Sequence, residues 1–435
     1  MSSTDEQREL EERFGPLLSI SNQSLIDLAC NIRRENKNNS FTSAKLISRL
    51  NGSYNLVHIV KFDDGARLVV RVPATGWGDR FTESAKRSLI SQVVTMRLVR
   101  TKTTIPVPEV YAVDSSSSNL IGAPYLAMSY IHGHSVYSKW FHETGPTPME
   151  ERRLTILDNL ARAMSQLQRL QFNMIGSLES QDWMSENGIS LGPCYRWDEG
   201  IFGDDNYGQN LRVNEFGPFE SSKSYLRYHI EHYGDPTKHS PLAIGSRALL
   251  DMMVSSLPLS TERESSNRES FVLSLPDFDS QNVMIDEQGN LTGIIDWDNV
   301  QTVPRFLGFS SFPSWITRDW DPIMYHYPAN KERENSPEEL KRYRQRYNST
   351  MREMLHGKGD LRFVNKSHIF QAIAIAACDD VHRLEIVRKI VARVSRIDND
   401  DALEIIMDMG SDRLTPKEKD KLRKGFLALL SVPRR

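Results

Sequence analysis

The chain has 435 residues, of which 39% are hydrophobic and 26% charged, a composition typical of a globular protein with enough apolar material for a core. Its formal net charge of -3 excludes a global basic field that would favour nucleic acid as a partner. The three cysteines, Cys30, Cys194 and Cys378, form no CxxC pair. We therefore expect neither a zinc site nor a disulfide framework.

The segment Met1–Arg13 is acidic and contains no apolar run, which argues against a secretory signal and against an arginine-rich transit peptide. No stretch approaches the roughly 18 apolar residues that a membrane span needs. These observations predict a soluble, cytoplasmic protein that does not bind a membrane.

The first predicted elements form a small antiparallel sheet with one helix against it. Residues 1–42 are polar and are typical of a leading helix followed by a linker. Two β-rich runs, Asn55–Phe62 and Arg67–Val72, are joined by Asp63-Asp-Gly65, a strong hairpin turn. Further elements are predicted as strands at 45–50, after Pro108 and at 123–130, and as a helix near 84–100, whose apolar residues recur at spacings of three and four. Residues 43–132 are therefore predicted to be a small lobe.

Residues 133–435 are predicted to form a larger, mostly helical lobe. Residues 180–220 are rich in Gly, Asn and Asp and are typical of a loop, and residues 260–270 are typical of a polar connector. The residue periods predict helices at 157–170, 222–233, 243–257, 336–355, 368–394, 401–409 and 415–431. The fold class is therefore predicted to be α+β.

The segment 271–298 carries the residues that can do chemistry. Asp277 follows a predicted strand, Asn282 comes five positions later where the chain enters another strand, and Asp296 ends the strand after a turn at Gly289. Such a hairpin brings Asn282 and Asp296 close together. Carboxylate and amide oxygens are hard ligands suited to Mg²⁺ that carries nucleotide phosphates, and Asp277 can accept the proton of an attacking hydroxyl.

The order D-x-x-x-x-N, then a strand, then Ile-Ile-Asp-Trp-Asp298 resembles the aminoglycoside phosphotransferase / choline kinase-like family, especially its fungal branch. The resemblance extends over Lys45–Val303. Its further matches are Leu50–Asn55, Ile105–Pro108, Met128–Ile131 and Ile175–Leu178.

This resemblance implies a two-lobed, protein-kinase-like fold and an ATP- and Mg²⁺-dependent kinase that acts on a hydroxyl group of a small molecule. It implies Asp277 as the catalytic base and Asn282 and Asp296 as the metal ligands. It also implies that the small lobe, residues 43–132, binds the nucleotide, through Gly52, Ser53, Arg71, Gln92 and Met128.

Three positions depart from the family's pattern. Leu275 stands where the family usually has a histidine, Arg71 where it has a lysine, and Gln92 where it has a glutamate that pairs with that lysine. Arginine keeps the positive charge and can fork onto phosphate oxygens, whereas a neutral glutamine does not neutralise that charge. These departures are compatible with a retuned phosphate clamp or with a degraded one.

Other interpretations stay open from the sequence. The three acidic or amide residues could be plain turn residues, Gly52 a turn glycine, and Arg71 and Gln92 residues with surface-facing ends. The alternative function is a pseudokinase, that is, a nucleotide-binding or scaffold protein with little or no turnover, and transfer of a nucleotidyl group is a third. An aminoglycoside acceptor would need an acidic pocket, for which Glu199, Asp204 and Asp205 are the candidates.

Overall fold

A computed structural model describes residues 3–36, 40–185, 187–200, 211–232, 240–258 and 269–433. The chain divides into two units. Unit 1 consists of Met1–Gly133, Gly176–Pro218 and Thr292–Gln301, and unit 2 consists of His134–Ile175, Phe219–Leu291 and Thr302–Arg435. Most of the predicted linker before Ser40 and of the predicted connector at 260–270 lies outside the described residues.

The strands are, in chain order, β1 (Ala44–Asn51), β2 (Asn55–Phe62), β3 (Arg67–Pro73), β4 (Val110–Asp114), β5 (Tyr125–Ser129), β6 (His134–Ser135), β7 (Gln171–Phe172), β8 (Ser177–Glu179), β9 (Ser190–Gly192), β10 (Cys194–Asp198), β11 (Arg212–Phe216), β12 (Phe271–Ser274), β13 (Val283–Ile285), β14 (Leu291–Ile294) and β15 (Gln301–Pro304). The helices are α1 (Ser3–Phe14), α2 (Asn22–Glu35), α3 (Glu83–Lys102), α4 (Val136–Lys139), α5 (Met149–Ser165), α6 (Ser222–His232), α7 (Pro241–Val254), α8 (Pro337–Met354), α9 (Leu361–Val364), α10 (Ser367–Cys378), α11 (Asp380–Ser395), α12 (Asn399–Gly410) and α13 (Pro416–Leu430).

Unit 1 is built on a five-stranded antiparallel sheet in the order β1-β2-β3-β5-β4. The predicted hairpin between β2 and β3 is confirmed, and Gly65 closes its turn at a φ of 89°, a conformation that glycine adopts without steric cost. Helix α2 packs its apolar residues, spaced by three and four, against the sheet. Arg33 of α2 also forms an ion pair with Asp64 in the hairpin turn, at 2.8 Å.

Short strands also occur where the sequence predicted a loop. In unit 1, β8 pairs with β9, and β10 pairs with β11, both antiparallel. Helix α3 is tied to them by Arg87, which lies 2.7 Å from Glu179 on β8 and 3.2 Å from Glu215 on β11. The prediction of a loop over 180–220 is therefore wrong for β9, β10 and β11.

In unit 2, β12 lies between β15 and β7 in a three-stranded sheet, and β6 pairs with β13. The first three residues of β12 are fully buried, so the strand is a fixed support for the residues that follow it.

The helices of unit 2 pack through both polar and close backbone contacts. Asp158 of α5 accepts hydrogen bonds from Arg346 at 2.8 Å and Thr350 at 2.7 Å, which joins α5 to α8. A Cβ atom on Gly245 of α7 would lie 1.9 Å from the carbonyl oxygen of Ile406, so glycine permits the close approach of α7 and α12.

The prediction of one helix over 368–394 is wrong in one respect, because the chain forms two helices there. Helix α10 ends at Cys378, and Asp379 caps α11 by accepting hydrogen bonds from the amides of Val381 and His382.

The predicted α+β class is confirmed, with an antiparallel sheet in unit 1 and a larger, mostly helical unit 2. Within the described ranges, no helix combines the length and apolarity that crossing a bilayer requires.

Candidate functional site

The loop that follows β12 presents Asp277 to solvent. Leu275 is buried and begins the loop, and the exposed Asp277 follows two positions later. The side-chain amide of Asn282 donates to the Asp277 carboxylate at 2.8 Å and to its backbone oxygen at 3.0 Å. Gln281 donates to the same carboxylate oxygen at 3.0 Å. The leucine therefore packs the base of the loop, while two amides orient the Asp277 carboxylate.

The Asn282 amide has a defined orientation. Its nitrogen faces Asp277, and in the described part of the chain its Oδ1 accepts no hydrogen bond. The residue is buried, so the orientation is held by its surroundings. An oxygen placed in this way can serve as a ligand for a hard cation.

Further contacts fix the same loop within unit 2. Arg318 forms an ion pair with Asp279 at 2.8 Å, the Ser314 amide donates to the backbone oxygen of Phe278 at 2.9 Å, and the Tyr137 amide donates to Ser280 at 2.9 Å. Asp279 is therefore an anchor of the loop, unlike the outward-facing Asp277.

The predicted turn at Gly289 is present. The Gly289 amide donates to the Asp286 carbonyl at 3.1 Å, and the Asp286 amide donates to the Asn290 carbonyl at 3.0 Å. Gly289 has a φ of 90°, and a Cβ atom there would lie 2.8 Å from the backbone oxygen of Arg152. This turn precedes β14, along which the chain passes from unit 2 to unit 1.

Arg71 and two aspartates form a charged cluster in unit 1. Arg71 Nη2 lies 3.1 Å from Asp296 Oδ1 and 3.0 Å from Asp298 Oδ2. Asn55, in β2, donates to the same Asp298 oxygen at 2.7 Å. Arg71 is only 8% exposed, while the Asp296 side chain is 36% exposed. Asp296 also has a φ of 61°, a conformation that aspartate tolerates better than most residues.

Burial raises the pKa of the Asp298 carboxyl to about 6, together with repulsion from Asp296 and against the opposing effect of Arg71. One carboxylate of the cluster therefore titrates close to neutral pH, an arrangement that is common at functional sites.

The other predicted nucleotide-binding residues also lie in unit 1. The Gly52 amide donates to the Asn55 carbonyl at 2.9 Å, and Arg13 donates to the Ser53 carbonyl at 2.6 Å. Met128 is buried in β5, where it pairs with Val69. These positions are ordered by the sheet and by α1.

Gln92 is buried in α3, so its side chain is not on the helix surface. Its Nε2 has no hydrogen-bond partner among the described residues. Arg71 is thus neutralised by the two aspartates instead of by a residue of the helix.

Sequence reasoning missed Asp298 and Asn55. Asp298 lies two positions after Asp296 in the same motif, and a positively charged Arg71 without a helix glutamate needs another acidic partner. That need was the available signal for Asp298. No sequence signal connected Asn55 to Asp298, because 243 positions separate them.

The acidic residues predicted for an aminoglycoside pocket do not form a described cluster. Glu199 lies in unit 1, where it forms an ion pair with Arg13 at 2.8 Å. Asp204 and Asp205 lie outside the described residues.

A cavity of about 500 Å³ opens in unit 2 beside the Asp277 loop. Ser280 belongs to its wall, and aromatic side chains form much of the rest. Its aromatic residues are Tyr137, Trp140, Phe141, Trp315 and Tyr325. The cavity is large enough for a small molecule.

Comparison with known proteins gives one extensive match to a family. Residues 47–354 match the model of the phosphotransferase enzyme family, described as APH. This range includes all the residues of the loop, the turn and the charged cluster.

Curated relatives match over shorter parts. The chain is 33% identical to a subtelomeric hrmA-associated cluster protein of Aspergillus fumigatus over 21% of this chain and 17% of that protein. It is 23% identical to altered inheritance of mitochondria protein 9, mitochondrial, of Yarrowia lipolytica, over 60% of this chain and 50% of that protein. The chain therefore spans half or less of these relatives' length.

The chain is also similar to solved structures. The aminoglycoside phosphotransferase APH(4)-Ia is 14% identical, with 91% of this chain and 100% of that chain covered at a TM-score of 0.43. The macrolide 2'-phosphotransferase type I is 11% identical, with 89% and 96% covered at a TM-score of 0.42.

Proposed function

We propose, because this chain belongs to the phosphotransferase enzyme family, that it transfers the γ-phosphoryl group of ATP to a hydroxyl group of a small molecule. The observation that carries the proposal is the exposed Asp277 carboxylate, which Asn282 and Gln281 orient by hydrogen bonds. A fixed, solvent-facing carboxylate is what a general base for an alcohol requires.

Asp277 has the role of the base. The acceptor oxygen forms a bond to the γ-phosphorus, the bond from that phosphorus to the bridging oxygen of ADP breaks, and the acceptor's proton goes to the Asp277 carboxylate. The amides of Asn282 and Gln281 keep the carboxylate directed while this happens. Proton acceptance by a positioned side chain contributes about 10²–10⁴-fold to a rate.

Asn282 and Asp296 have the role of metal ligands. Asn282 Oδ1 faces away from Asp277, and the Asp296 carboxylate is partly exposed, so each can offer an oxygen. In the described residues no group of three His, Cys, Asp or Glu side chains could hold a metal. Mg²⁺ nonetheless needs few protein oxygens, because it keeps several waters and is shared with substrate phosphates. Mg²⁺, when bound, neutralises the charge on those phosphates.

Arg71 has the role of a phosphate contact. Both of its ion pairs use Nη2, so the guanidinium has other N–H donors for phosphate oxygens. Asp298, itself held by Asn55, keeps the guanidinium in place and so replaces the function of the absent helix glutamate. Gly52, Ser53, Gln92 and Met128 complete the proposed nucleotide contacts.

The acceptor is proposed to bind in the aromatic cavity beside Ser280. Its aromatic wall suits an alcohol with an apolar or aromatic body better than a polycation, which needs several acidic partners.

The proposal is tested by incubating the chain with ATP, Mg²⁺ and a panel of alcohols that includes aromatic alcohols and aminoglycosides. We expect ADP and a product that is heavier by one phosphoryl group. A product that carries a nucleotidyl group would instead support nucleotidyl transfer. Nucleotide binding without any turnover, unchanged by Asp277→Asn, would support the scaffold alternative.

A further inference from the structure

A second cavity of about 1170 Å³ lies in unit 2 and shares no residue with the Asp277 loop. We call it the basic cavity, because its wall contains five cationic side chains and one acidic side chain. The cationic residues are Arg305, Arg352, Lys358, Arg362 and Lys366, and the acidic residue is Asp360.

The one carboxylate of the basic cavity is already neutralised. Asp360 is buried, and Arg305 binds it through Nε at 2.7 Å and through Nη2 at 2.9 Å. The lining therefore carries a net charge of about +4, in a chain whose formal net charge is -3. A concentration of one sign of charge in a concave site attracts ligands of the opposite sign.

Two of the cationic side chains are available to a ligand. Arg352 and Lys358 are exposed, and neither forms an ion pair within the part of the chain that the structure describes. Lys358 stands between Gly357 and Gly359, which have φ values of 74° and 65°. A Cβ atom on either glycine would meet only open space. Glycine is therefore favoured at both positions by the left-handed backbone conformation of the turn and not by lack of space.

Lys366 is held in position by the end of α13. Its ammonium group donates to the Leu429 carbonyl at 2.6 Å and also to the Ser431 carbonyl, which leaves one of its three donors for another partner. Burial lowers the pKa of Lys366, so an anionic neighbour would stabilise its charged form.

We propose that the basic cavity binds a small molecule that carries several phosphate groups. Arginine and lysine are the residues that bind phosphate oxygens most strongly, and the volume suits a ligand larger than a single phosphate ion. The proposal does not depend on the proposed phosphoryl transfer.

The cavity is also connected to the strand that precedes Asp277. Arg305 donates to Ser270 at 2.9 Å, directly before β12, and Gln171 of the cavity wall pairs with Val272 in β12. A ligand in the basic cavity would therefore contact residues that hold the start of β12 in place. Asp277 follows the end of the same strand.

The test is titration of the full chain with inorganic tripolyphosphate, without Mg²⁺, by isothermal calorimetry. We expect saturable binding that weakens as salt is added. The double variant Arg352→Glu with Lys358→Glu should weaken binding by at least about tenfold. The matched control is Lys421→Glu with Arg423→Glu, which makes the same charge change at exposed positions of α13 outside the cavity, and it should leave the affinity within about twofold.

Lysine acetylation of the unmodified sequence gives an independent measurement. Tripolyphosphate should protect Lys358 and not Lys421, as read by mass spectrometry of peptides. Unaltered binding in the cavity variant, equal losses in both variants, or no protection of Lys358 by tripolyphosphate would each overturn the proposal.

Discussion

A buried arginine needs negative partners, and at Arg71 these are two carboxylates that lie two positions apart in the chain. Asp296 is partly exposed and is available to other ligands, whereas Asp298 is only 16% exposed and is also held by Asn55. If Asp296 binds the proposed Mg²⁺, Asp298 therefore still pairs with Arg71.

Asp298 should give the stability of the chain a characteristic pH dependence. Its pKa of about 6 in the folded chain, raised by burial, is above the ordinary value of about 3.9. The folded state therefore binds this proton more readily, so the contribution to stability is present below about pH 4 and is lost as the pH rises to about 6. We expect the stability difference between wild-type and Asp298→Asn to fall over this window, as measured by chemical denaturation.

The carboxyl of Asp64 serves as a control, because its pKa is shifted in the opposite direction to that of Asp298. Hydrogen bonds from Arg33 and Ser40 hold the pKa of its carboxyl well below the usual value. Its contribution should therefore be constant above about pH 5 and be lost progressively at lower pH. A pH-independent difference for Asp298→Asn would contradict a titrating Asp298.

The positions of Asp277, Asn282 and Asp296 relative to strands and turns could be predicted from the sequence, because local strand and turn signals flank each residue. The missing helix glutamate pointed to another acidic partner for Arg71, but the contact of Asn55 with Asp298 could not be predicted, since these two residues lie far apart in the chain. A side-chain partner of this kind depends on tertiary packing, which no local pattern reports.

At the scale of elements, the turn before β14 depends on Gly289. Gly289→Ala would force a side chain into a φ of 90° and bring its Cβ atom within 2.8 Å of the Arg152 carbonyl oxygen. Gly65→Ala is a matched control, with a φ of 89° and no atom within 4 Å. We expect Gly65→Ala to cost about 1–2 kcal/mol and Gly289→Ala about 1–3 kcal/mol more, by denaturation. Equal costs would contradict the close approach to Arg152.

The crossing of α7 and α12 makes a second prediction. Gly245→Ala would place a Cβ atom 1.9 Å from the Ile406 carbonyl oxygen, so the two helices would have to separate. We expect a loss of about 1–3 kcal/mol in the free energy of unfolding. The control Ile244→Ala, at an exposed position of the same helix, should change it by about 0.5 kcal/mol or less.

Long periodic elements were predictable and short or interrupted ones were not. The β2–β3 hairpin has strands of eight and seven residues and a strong turn, whereas β9 has three residues, too few for a period. The break at Asp379 was missed because the apolar period of α10 continues into α11.

At the scale of the whole molecule, each unit is assembled from three stretches of chain. Residues 176–218 and 292–301 belong to unit 1 through contacts with elements near the start of the chain, such as those of Arg87 and Arg71. A reading along the sequence cannot detect such returns of the chain, because they leave no local signal.

Mg²⁺ and ATP together should stabilise the folded chain more than ATP alone. If Asn282 and Asp296 hold Mg²⁺ on ATP, the pair should stabilise the chain by about 2.7 kcal/mol at a hundredfold excess over the dissociation constant. We expect EDTA to remove most of this stabilisation, as measured by thermal denaturation, and to abolish transfer. Full stabilisation by ATP in EDTA would contradict the assignment of the metal ligands.

The most direct measurement is the rate of phosphoryl transfer from ATP by Asp277→Asn, compared with wild-type and with Asp420→Asn, which changes a half-exposed carboxylate on α13. We expect Asp277→Asn to lower kcat by about 10²–10⁴-fold with little change in nucleotide affinity, and Asp420→Asn to leave kcat unchanged. Transfer that persists at the wild-type rate without the Asp277 carboxylate would contradict its role as the base.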